Sequence, residues 1–113
     1  MADVIYLDFD DGVKRVMNNA KLYVRLLGKF RNETKLDELE SALGAGDYEK
    51  AQGQAHTIKG VAANLSLTEL NIQSLEIETQ IKAKQVQPDQ FGKLKAAFEA
   101  TLIEVDKVVA ANG

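Results

Sequence analysis

Apolar residues recur in steps of three and four along most of the chain, and the steps divide it into four amphipathic helical segments. The first spans about Ala20 to Leu43, with Leu22, Leu26, Phe30, Leu36, Leu39 and Leu43 on one side. Asn18-Asn19 supplies an N-cap and Gly44-Ala45-Gly46 a stop. Between Arg31 and Thr34 the pattern weakens, which leaves open one long bent helix or two short ones. The second segment opens with Asp47 as N-cap and carries Tyr48, Ala51, Ala55, Ile58, Ala62 and Leu65. The third runs from about Leu67 to Lys84, with Leu67, Leu70, Ile77 and Ile81 in step. The fourth begins at the single proline, Pro88, placed for a first helical turn, and repeats Phe91, Leu94, Phe98, Leu102, Val105 and Val109. Ahead of these, Asp8 to Met17 reads as a short extra helix whose Phe9, Val13, Val16 and Met17 cap one end. Val4-Ile5-Tyr6-Leu7 has strand propensity but no partner strand, so an extended arm packed on the bundle is expected. Short connections make the expected fold all-α: an antiparallel, up-down-up-down four-helix bundle with an added N-terminal helix. The chain reads as one domain, residues 1–113, with the cap helix at about 8–17 and the bundle at about 20–111.

Composition narrows the chemistry. At 113 residues and 45% hydrophobic content the chain suits one globular domain and not a disordered tail. Fourteen Lys and Arg against 17 Asp and Glu give a net charge of -3, which disfavours nucleic acid as a partner. Without cysteine there is no disulfide framework, thiol nucleophile or cysteine-based zinc site, and one histidine cannot build a His-rich metal cluster, so no metal is expected. No apolar run approaches the roughly 18 to 20 residues that cross a bilayer, and Met1-Ala2-Asp3-Val4 lacks the basic start of a signal peptide. A monomeric cytoplasmic protein is the expectation.

The one histidine occupies an unusual face. At 100° per residue the stripe from Tyr48 to Leu65 centres about 130° from His56, so the ring points mainly to solvent. Its same-face neighbours are Glu49, Gln52, Gly53, Lys59, Gly60 and Ala63. Two of them are glycines inside a helix, each costing about 1 kcal/mol relative to alanine. They clear the surface around the imidazole, as suits a large partner docking over it. By helix phase alone, an ordinary surface histidine with two tolerated glycines stays open as an alternative. A catalytic triad is disfavoured for want of a concave pocket, and Ser41, Ser66 and Ser74 read as capping or surface residues.

The stretch Ala55-His56-Thr57-Ile58-Lys59-Gly60-Val61-Ala62-Ala63-Asn64-Leu65 closely resembles the signature of histidine-containing phosphotransfer (HPt) domains. Asp11-Gly12-Val13-Lys14-Arg15, Leu22-Tyr23 and Phe30 look like the family's opening helices, and Leu75-Glu76 like a later one, so the resemblance covers nearly the whole chain. Two departures stand out: the family usually has glycine where this chain has Ser66, and Ser or Ala where it has Val61.

The resemblance implies a phosphorelay intermediate that is not itself an enzyme. His56 would accept a phosphoryl group from a receiver-domain aspartate and pass it to another receiver. No ATP binding or autokinase activity is expected, in keeping with the lack of a Gly-rich phosphate loop. Response-regulator receiver domains and a hybrid sensor kinase are the implied partners. No cofactor is expected on this chain, and Mg2+ belongs to the receiver. Lys59, one turn past His56, would stabilise phosphoryl charge. Gln52, Gly53, Gly60 and Ala63, with Val13 and Met17, would form the docking surface. Hairpin geometry about Ser66 brings Glu76 and Glu78 to the level of His56, and of these Glu76 points outward whereas Glu78 is in phase with Leu67, Leu70, Ser74 and Ile81. There it can accept from Nδ1–H and leave Nε2 as nucleophile, or it can pair with Lys82, its i+4 neighbour. The start at Met1 and a frayed end at Ala110-Ala111-Asn112-Gly113 favour a free-standing protein over a domain excised from a larger sensor kinase. A helical adaptor that is never phosphorylated is the alternative from another class.

Overall fold

The weak stretch after Arg31 is a helix boundary in the computed structural model, which describes residues 4–112. Six helices follow one another among the described residues: α1 (Phe9–Arg15), α2 (Ala20–Glu33), α3 (Asp37–Ala45), α4 (Tyr48–Asn64), α5 (Thr68–Lys82) and α6 (Gln90–Asn112). The segment expected from Ala20 to Leu43 is therefore two helices. The buried face of α2 runs out at Phe30, because Glu33 and Thr34 offer nothing apolar one turn on, and a new stripe starts at Leu36 and Leu39. Thr34 turns extended, and its N–H keeps one last bond to the Phe30 carbonyl.

Packing runs α3 on α4, α4 on α5, α5 on α6 and α6 on α2. The alanines Ala51, Ala55 and Ala62 are buried on the inner side of α4, with Ile58 between them. α5 contributes Leu70, Ile77 and Ile81, and α6 contributes Leu94 and Val105. At the start of α6 a buried amide, Gln90, donates to Gln73 (2.9 Å) and accepts from Gln80 (3.1 Å). Gln80 also takes the Gln87 N–H, so the helix opens at Gln90 and not at Pro88 as expected. Its other end continues through Ala110, Ala111 and Asn112, where a frayed end was expected; Gly113 lies outside the described residues. No described helix is long and apolar enough to cross a membrane.

The inward stripe of α2 is Tyr23, Leu27 and Phe30, with Leu22 and Leu26 at its margin, a shift from the expected Leu22–Leu26–Phe30 line. Tyr23 is drawn in because its hydroxyl donates to the Leu65 carbonyl (2.6 Å) and its ring packs edge-on against Phe9. Burial, helped by the charges of Asp8 and Asp11, pushes that hydroxyl up to a pKa of about 12.

α1 clasps the α4–α5 turn. Asp8 caps it and donates its own N–H to the Ser66 carbonyl (3.0 Å). Ser66 sits at φ +56°, the left-handed region that explains the family's glycine there. The strain, on the order of 1 kcal/mol for a residue with a Cβ, is offset by its hydroxyl, which donates to the Asp11 carboxylate. Hydrogen bonds from Arg15 and then Ser66 hold Asp11 below the usual carboxylate range. α1 is shorter than the expected Asp8–Met17: Met17 and Asn18 take positive φ, and Met17 is 91% exposed, so Phe9, Val13 and Val16 cap the bundle without it. Ser74 also departs from expectation. It follows the α5 stripe into the core, fully buried, and its hydroxyl has no partner among the described residues. Ser66 is buried too, whereas Ser41 is exposed as read.

The expected arm lies along the start of α5. Leu67, the residue before that helix, makes no side-chain cap; the Ile5 carbonyl instead accepts the Glu69 N–H (3.0 Å). Val4 and Ile5 stay about half exposed and Leu7 packs on the core.

A Cβ added at Gly12 would run into the Tyr23 ring. Gly12→Ala is therefore expected to lose about 1 to 3 kcal/mol through overpacking, read as a lower melting temperature by circular dichroism.

Candidate functional site

Gly46, in the left-handed conformation, ends α3, and the Asp47 carboxylate then caps α4 by accepting the Lys50 N–H (3.1 Å). With Ala51, Ala55, Ile58 and Ala62 turned inward, His56 is left on the outer face with its side chain 69% exposed. A Cβ at Gly53 or Gly60 would meet no neighbour within 4 Å, so neither glycine is required by packing, and the surface around the ring is open.

The α4–α5 hairpin brings Glu78 beside the imidazole. Glu78 is 2% exposed, and its Oε2 lies 3.0 Å from His56 Nδ1. Its Oε1 accepts from the Lys59 ammonium at 2.6 Å, and Lys82 Nζ stands 3.9 Å from Oε2. Both sequence alternatives for Glu78 thus occur together. Burial pushes this carboxyl up, but hydrogen bonds from Lys59 and His56 and the charges of Lys59 and Lys82 outweigh it and hold Glu78 below its ordinary value. An ionised carboxylate only accepts, so Nδ1 carries the proton. In the neutral ring, Nε2 is then the atom with the free lone pair. By linkage, a lowered folded pKa means that Glu78 contributes stability above the ordinary carboxylate range. That contribution is lost as pH falls through the lowered value.

Lys59, expected to face a phosphoryl group, has its ammonium on Glu78, with the side chain 25% exposed. Asn71 donates to the Lys59 carbonyl (3.2 Å) and ties α5 to α4 at that level. Between the two helices an open cleft of about 420 Å³ is lined by Glu49, Gln52, Gly53, His56, Glu78 and Lys82. Gly60 and Ala63 are exposed further along α4. Val13 and Met17 belong to α1 and its turn, which attach near Ser66, about 15 Å from His56 along the helix at 1.5 Å per residue. The structure therefore gathers His56, Lys59, Glu78, Gln52 and Gly53 closely and leaves Val13 and Met17 apart from them, toward the Ser66 end. Sequence reasoning gave Lys82 only a partner's role and missed Asn71. Their i+4 and i−7 spacing from Glu78 on one face of α5 was the available signal. Among the described residues no three histidines or carboxylates converge as a metal set.

The family model described as the Hpt domain matches residues 26–104, from within α2 to within α6. The chain belongs to the Hpt domain family, the phosphocarrier modules of two-component signalling that exchange phosphoryl groups with response-regulator receiver domains. Neither the comparison with curated proteins nor that with solved structures gave a match.

Proposed function

We propose that this protein is a phosphorelay carrier in which His56 Nε2 takes a phosphoryl group from a receiver-domain aspartate and passes it to a second receiver. One observation carries the reading: an exposed imidazole whose Nδ1–H is bound by a buried, ionised carboxylate. The Nε2 lone pair forms the N–P bond while the P–O bond to the donor aspartate breaks, and its electron pair stays on the donor carboxylate. No proton moves: Nδ1 keeps its own, the ring becomes cationic, and Glu78 is already placed to hold that cation. Glu78 is thus a positioning residue, as is Lys59, which acts through Glu78. The receiver docks on the open face formed by Gln52, Gly53, Gly60 and Ala63, with Val13 and Met17 at the rim, on an up-down-up-down bundle. Mg2+ and the acyl phosphate belong to the receiver, and this chain acts as a cytoplasmic monomer supplied by a hybrid sensor kinase, without ATP of its own.

The test is to mix the protein with phosphorylated receiver domains and follow the label into an acid-labile, base-stable form. Lys59→Ala is expected to slow that transfer about tenfold to a hundredfold, near 1.4 to 2.7 kcal/mol of barrier. Its ring 15N shifts should also show a less fixed tautomer, because Glu78 loses its hydrogen-bonded cation. Wild-type rates in Lys59→Ala would remove Lys59 from the machinery.

A further inference from the structure

The cleft beside His56 holds an imbalance of charge. Of its lining residues, Glu49 and Glu78 are acidic and Lys82 is the one cation with a permanent charge among those described. Because His56 itself lines this cleft, a phosphoryl dianion on its ring would share it with two carboxylates. Lys59 is poorly placed to relieve it. Its ammonium makes a 2.6 Å charge-assisted bond to a carboxylate that is 2% exposed, and drawing it away would leave a buried charge short of its closest partner. Lys82 has no such tie. It stands 3.9 Å from Glu78 Oε2, beyond hydrogen-bonding distance, and its side chain is 57% exposed. His56 Nδ1 uses the same Oε2 atom, so ring and ammonium flank one oxygen.

We propose that Lys82 is the phosphoryl-binding cation of this site, a role that passes to it because residue 78 is a carboxylate and engages Lys59. The proposal rests on the reading of His56 as the phosphorylated residue. When the N–P bond forms and the ring becomes cationic, Oε2 is left between two positive groups, the imidazolium and Lys82. The ring is fixed by its hydrogen bond and by the helix. Lys82 is on a flexible stem and gains by swinging to the new dianion. Lys59 stays on Oε1 throughout, and the buried carboxylate never lacks a counter-charge.

The experiment uses the full chain and phosphoramidate, a small donor that needs no receiver and so isolates the site from docking. Loading of His56 is followed by 31P NMR, and the phosphohistidine half-life is measured at low and high salt. Lys82→Ala is expected to shorten that half-life and slow loading about fivefold to tenfold at low salt, with the gap closing at high salt, as for a cation near solvent. Lys82→Arg should restore both, while the melting temperature and ring 15N shifts stay close to wild type, because the solvent-exposed Lys82 ammonium stands 3.9 Å from Glu78 and Lys59 keeps the buried carboxylate paired. Wild-type loading and half-life in Lys82→Ala overturns the proposal. So does a Lys59→Ala variant whose half-life collapses with its ring tautomer intact, since Lys59 would then be the phosphoryl's ammonium. An imidazole that takes nothing from phosphoramidate overturns this inference and the functional reading together. Loading from phosphoramidate with none from any receiver removes the functional reading alone, and the Lys82 comparison still decides the cation.

Discussion

His56→Gln is expected to reduce phosphoryl acceptance from receivers and from phosphoramidate to background while the fold stays intact. Glutamine can still donate an amide hydrogen to Glu78, so the buried carboxylate keeps a partner in place of Nδ1. What it lacks is a nucleophilic nitrogen. Because the side chain is 69% exposed and glutamine keeps a donor for Glu78, the change in stability should stay within about 0.5 kcal/mol. Radiolabel transfer and a thermal melt on the same sample check both halves. A variant that still took an acid-labile phosphoryl group would place the acceptor elsewhere, and one that unfolded would make His56 structural.

Gly60→Arg should separate docking from chemistry. The site is helical and open, so arginine removes a helix-interior glycine and should stabilise the fold by up to about 1 kcal/mol. The same side chain projects from the face around the ring, where a receiver must close to bring its aspartyl phosphate to Nε2. Transfer from receivers is expected to fall at least about a hundredfold by steric exclusion, with phosphoramidate loading unchanged. Undiminished transfer would show that receivers approach by another face.

How much of this was legible in the sequence depended on how far each determinant reached. The α4 stripe, its Asp47 cap and the outward phase of His56 follow from residues within two turns of one another, and they appear as read. Glu78 could be brought to the histidine by counting along a hairpin, because the short turn at Ser66 fixes the register. The choice of Tyr23 over Leu22 could not be read, because it depends on a hydroxyl finding the Leu65 carbonyl 42 residues away. Nor could the partner of Lys59, since its long stem reaches Glu78 and the open face alike and only the packed geometry selects between them. The burial of Ser74 was half visible. Its phase pointed inward, but its residue type suggested the surface. Helix boundaries moved for local reasons: polar Glu33 and Thr34 ended α2, and a glutamine network delayed α6 past Pro88.

The cap on α5 has a consequence for how this protein can vary over evolutionary time. Its acceptor is the main-chain carbonyl of Ile5, which every amino acid possesses, proline included. Mutation at residue 5 can therefore drift through the whole alphabet without disturbing the contact, and selection acts there on the path of the chain. Related sequences could share no residue type at this position and still fasten the helix that carries Glu78 in the same way, a kinship detectable there only in three dimensions.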